Sequence, residues 1–128
     1  MHAGHVVQRV LSFGRADELL QLRAMVMRQA GFEVATASTS AEALAMAHAD
    51  GIDAVLICHT VPPSERHSLI SKLRELRRPL PILCVDGSGF DSAPETCILV
   101  SSEPAELLRG LQSAVTARRQ SPSPRASI

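Results

Sequence analysis

Residues 53–58, Asp-Ala-Val-Leu-Ile-Cys, constrain this chain more than any other stretch. A strand with one wet face alternates apolar and polar residues, whereas an unbroken β-prone run predicts burial on both faces, as in a parallel sheet wrapped by helices. Parallel neighbours also need crossovers of a dozen or more residues, usually helical. The flanking sequence supplies most of them.

Residues 6–13 read as a first strand ended by Gly14, and residues 32–37 as a second. Between them lies a helix over 17–30, with Leu19, Leu22, Met25 and Val26 as its apolar stripe and Gly31 placed just past its end. Ser38, Thr39 and Ser40 offer hydroxyl caps to an alanine-rich helix reaching residue 49. After the central strand, Val61-Pro62-Pro63 is a stiff loop, and a helix from Ser64 or Glu65 to about Arg77 carries Leu69, Ile70, Leu73 and Leu76. Residues 81–85 and 96–100 are the last two strands, and the final helix runs from Glu103-Pro104 to about Arg118 with Leu107, Leu108, Leu111 and Val115. Only residues 86–95 join the last two strands, and Gly87, Gly89 and Pro94 among them predict a crossover helix that is shortened or missing. The expected organisation is a flexible terminus over 1–5, one domain over 6–118 and a disordered tail over 119–128.

Composition narrows the function classes. The 128 residues are 45% hydrophobic, enough for a core, and 13 basic residues balance 13 acidic ones. Zero net charge gives no general attraction to nucleic acid or membrane. With three Phe and no Tyr or Trp, base-stacking surfaces are not expected. No apolar run approaches the length of a membrane span, and the start has no secretory pattern. Three cysteines inside strand-like runs argue against a disulfide framework and for a reducing compartment, so the chain is expected to be cytoplasmic.

The pattern Gly-Phe-Glu-Val-Ala-Thr-Ala-Ser (31–38), Glu-Ala-Leu (42–44) and Ile-Asp-Ala-Val-Leu-Ile (52–57) resembles the receiver domain of response regulators. Residues 31–44 and 52–62 carry the likeness most strongly, residues 103–108 resemble the start of the family's last helix, and the similarity spans roughly 6–118. It implies a flavodoxin-like (CheY-like) doubly wound five-stranded parallel sheet in three α/β/α layers, with its site at the carboxyl ends of the strands. It also implies where the phosphorylation residues should be. The two acids after the first strand fall on Gly14 and Arg15, and the phosphoaccepting aspartate falls on Cys58. The Ser or Thr after the fourth strand becomes Asp86, and the lysine and proline after the fifth become Val100 and Ser101. Magnesium needs hard oxygen ligands, and an acyl phosphate needs a carboxylate. The resemblance is therefore to a degenerate pseudo-receiver. Asp17 and Asp53 rescue nothing: the first belongs to a helix start and the second to the far end of the third strand.

Other features have plainer readings beside the functional ones. Cys58 beside a basic residue is a candidate redox thiol or a small buried hydrophobe. Cys58-His59 looks like a nucleophile and base, but successive strand residues face opposite ways, and His67 has no third group to orient it. The Gly87-Ser88-Gly89 loop lacks the helix a dinucleotide site needs. His2 and His5 read as terminal residues before metal ligands, and Arg118, Arg119 and Arg125 as a solubilising tail. Arg15 and Asp86 are candidates for an ion pair plugging the former site, or for two solvated, unpaired loop charges.

Cys97, Ile98, Leu99 and Val100 are apolar on both faces of the fifth strand, while the crossover helix beside them is cut short. That predicts an exposed apolar face for a protein partner or a second copy. The expected function is that of a stand-alone receiver-like protein of two-component phosphorelay signalling. It would act by phosphorylation-independent protein–protein interaction, without catalysis, cofactor or metal. A Cys58 thiol sensor and a small-molecule binder at the carboxyl-end crevice are the alternatives.

Overall fold

The computed structural model describes residues 8–49, 51–76, 80–85, 98–100 and 103–120, and only the backbone at 49, 98–100 and 117–120. Strands and helices alternate along it: β1 (Arg9–Phe13), α1 (Asp17–Gln29), β2 (Glu33–Ala37), α2 (Ser40–Ala49), β3 (Ala54–Ile57), α3 (Pro63–Arg74), β4 (Ile82–Val85), β5 (Ile98–Val100) and α4 (Pro104–Gln120). The strands form one parallel sheet in the order β2-β1-β3-β4-β5. This is the expected flavodoxin-like order, in which the chain reverses direction across the sheet between β1 and β3. Every side chain of β3 is buried, as its unbroken apolar run requires.

Two apolar layers flank the sheet. Leu11, Phe13, Val55 and Ile57 meet Ala43 and Ala47 of α2 and Leu69, Ile70 and Leu73 of α3. On the other face Val10, Ala54, Leu56 and Leu83 meet Met27 of α1 and Leu107, Leu111 and Val115 of α4. The stripes read for α3 and α4 therefore face inward. That of α1 does not. Its buried residues are Leu20, Arg23, Ala24 and Met27, while Leu22 and Met25 are 57% and 54% exposed. The helix carries two apolar lines, and the one containing Ala24 lies against the sheet because a small residue permits close approach.

Local chemistry sets the element ends. The amide of Phe32 donates to Met27 O and that of Gly31 to Arg28 O, a Schellman closure with Gly31 at φ 102°. At the start of α2, Thr39 Oγ1 accepts from the Glu42 amide, and Glu42 Oε1 from the Ser38 amide. α3 begins one residue earlier than expected, with Pro63 in its first turn, and α4 continues to Gln120. The expected loss of a crossover helix falls on residues 86–95, outside the described residues.

A candidate site at the carboxyl ends of the strands

β1 and β3 end side by side, and the ladder runs one step beyond each. The Cys58 amide donates to Phe13 O at 2.8 Å and the Gly14 amide to Ala37 O at 3.1 Å. Gly14 and Cys58 thus meet at the rim. A Cβ on Gly14 would stand 3.0 Å from Cys58 Cβ, 3.1 Å from its Sγ and 3.2 Å from Thr60 Oγ1. The space a carboxylate would need at position 14 is occupied.

Arg15 crosses from this loop to the β3–α3 loop and to α3. Its amide donates to Thr60 Oγ1 at 2.9 Å, and its Nη2 to Oε2 of Glu65 in the first turn of α3. Ser40, the first residue of α2, donates its hydroxyl to the same oxygen at 2.7 Å. The Ser40 hydrogen bond outweighs the opposing desolvation and, with the charge and hydrogen bond of Arg15 added, holds the Glu65 carboxyl below its ordinary range. Asp86, the candidate partner of Arg15 read from the sequence, lies outside the described residues. Among the described residues Arg15 pairs with Glu65, because α3 brings an acid to the rim. Sequence reasoning passed over Glu65, Ser40 and Thr60, although α2 and α3 both start at this end of the sheet and their first residues converge there by topology.

Cys58 is 1% exposed, and burial pushes its thiol up, with Arg23 and Ser12 pulling in the opposite direction. His59 and His67 are both exposed, so the groups acting on the thiol are Arg23 and Ser12. Arg23 was invisible as a site residue because it lies on the inward line of α1 that the apolar count overlooked. Cys58 is a free thiol, as expected, whereas Cys84 in β4 is disulfide-bonded. The expectation of unpaired strand thiols is corrected there: an odd count of cysteines carries no information on which strand positions lie within bonding distance.

Asp86, Cys97 and Ser101 lie outside the described residues. Ile98, Leu99 and Val100 form β5 in the backbone alone, so the expected apolar face of that strand lies outside the described side chains. Exposed large apolar side chains occur at Leu22 and Met25 on α1. A groove lined by Arg9, Arg28, Phe32, Glu33, Val34 and Ala35 opens at the opposite, amino end of β1 and β2, away from the carboxyl-end crevice. Among the described residues no three His, Cys, Asp or Glu side chains converge on one point, and no helix is long and apolar enough to cross a membrane.

No protein-family model and no curated protein matches the sequence. Solved structures do. The chemotaxis response regulator CheY4 of Vibrio cholerae matches with a TM-score of 0.72 at 22% identity, over 85% of this chain and 99% of that one. A CheY-like receiver domain protein from Methanospirillum hungatei gives 0.75 at 20%, over 90% and 98%. The chain has the receiver fold. A third structure of that fold, the receiver domain of the sensor histidine kinase PA1611 from Pseudomonas aeruginosa, gives 0.74 at 20%, over 87% and 99%, and holds a magnesium ion coordinated in its active-site cleft. In this receiver fold the corresponding end of the sheet presents Gly14, the Arg15–Glu65 pair and a buried thiol.

Proposed function

We propose that this chain is a receiver-fold interaction module of two-component signalling in which a fixed ionic clasp stands in place of a phosphorylation switch. The observation that carries the reading is the bond from Arg15 to Glu65, reinforced by Ser40. It sets a cation at the rim where the resemblance calls for a magnesium-binding acid. Cys58 offers sulfur where an acyl phosphate requires a carboxylate. With the β1–α1 loop tied to the β3–α3 loop and to α3, partner binding depends on surface complementarity rather than on phosphorylation. Leu22 and Met25, apolar and more than half exposed on α1, support a protein as the partner.

The experiment is incubation of the chain with acetyl phosphate and magnesium, read by intact mass. The expected result is no phosphoryl adduct on an aspartate under conditions that label an active receiver. A stable acyl-phosphate adduct on this chain overturns the proposal.

A further inference from the structure

Three side chains meet beneath the rim, on the α1/α4 face of the sheet, without a strong acceptor among them. Ser12 sits in register with Leu56, two residues before Cys58, so the two side chains share a face. Arg23 reaches the same place from the buried line of α1. Ser12, Cys58 and Arg23 are 0%, 1% and 6% exposed. Ser12 and Arg23 both lie against the thiol, yet Ser12 Oγ and Arg23 Nη1 complete no regular hydrogen bond among the described residues. Thiol sulfur is a weak acceptor, and a buried guanidinium calls for an anion. Neither of the ion pairs Arg9–Glu33 and Arg15–Glu65 involves Arg23.

We propose that Cys58 is an oxidation site whose sulfenate or sulfinate oxygens accept the hydrogen bonds that Ser12 and Arg23 are placed to donate. The oxidant is a peroxide. The sulfur lone pair attacks one peroxide oxygen, the O–O bond breaks, and the departing hydroxide takes the thiol proton as water. Sulfur loses two electrons and the peroxide gains them. A second peroxide adds the next oxygen in the same way, releasing another water, and the sulfinic acid then gives up its proton to become the anion. Arg23 and Ser12 act on this product. Burial keeps the reduced thiol protonated and makes the first step slow. Gly14, with no side chain, is the thin cover over the sulfur. In most cores a new charge breaks the packing; in this one it completes the hydrogen bonding. The inference stands apart from the interaction reading.

The test treats the full chain with hydrogen peroxide and follows both the mass of the Cys58 peptide and the Tm. One or two oxygens are expected on Cys58, with the Tm held or raised. In S12A and R23M the same adduct should lower the Tm, and S12A, a change of one hydroxyl, keeps the test open if R23M fails to fold. An unmodified Cys58, or an oxidised wild-type chain that melts lower by as much as the variants, overturns the proposal. C58D repeats the test without oxidant, since its carboxylate supplies the same acceptors. It is expected to melt above C58N, and the reverse order sinks the idea.

Discussion

Gly14 and Cys58 compete for one volume at the rim. Adding a methyl at position 14 forces Cys58 or Thr60 to move from contacts of 3.0–3.2 Å, so G14A is expected to lose about 1–3 kcal/mol by overpacking. Urea denaturation measures this, and unchanged stability would mean that the rim yields freely. Glu65 gives a pH signature. Its carboxyl lies lower in the folded chain than in the unfolded one, so its stabilising contribution is complete above the unfolded value of about 4.3 and is lost as pH falls through the lower, folded value. The urea midpoint difference between wild type and E65Q should therefore hold from neutrality to about pH 4.3 and shrink below it. A difference that persists unchanged in stronger acid would remove the clasp. At this scale Gly14, Arg15 and Cys58 were legible because they follow strand ends that the apolar runs announce. Glu65 and Ser40 were not, since their bonds join positions 50 and 25 residues apart.

Elements carry their own punctuation. The helix α1 ends on Gly31 at φ 102°, and a Cβ added there would meet nothing within 4 Å, so G31A costs backbone energy alone, about 1 kcal/mol. Thermal unfolding measures that loss, and a neutral substitution would show that the closure relaxes. Such caps were readable from sequence because each uses residues within one turn. The facing of α1 was not readable. Leu19, Leu22, Met25 and Val26 hold more apolar area than Leu20, Ala24 and Met27, yet tertiary packing buries the smaller set.

In the whole molecule the sheet separates two apolar layers, and each needs its own helix pair. Leu111 of α4 is fully buried against the layer containing Leu56 and Leu83. L111A should lose about 2–5 kcal/mol, a large share of the roughly 5–15 kcal/mol typical of a domain. Chemical denaturation tests it, and a loss under about 1 kcal/mol would mean that α4 is dispensable to that layer.

The amino-acid sequence by itself determined the elements, their caps, the parallel sheet and the residues at the ends of β1 and β3. Each of these is encoded by periodicity or by contacts within a few residues. Only the tertiary structure decided that Arg15 meets Glu65, that Arg23 and Ser12 lie against Cys58, and that Cys84 is bonded through its sulfur. Those pairings depend on where separate elements end in space, and the charge or polarity of one residue does not say which distant neighbour the fold will bring to it.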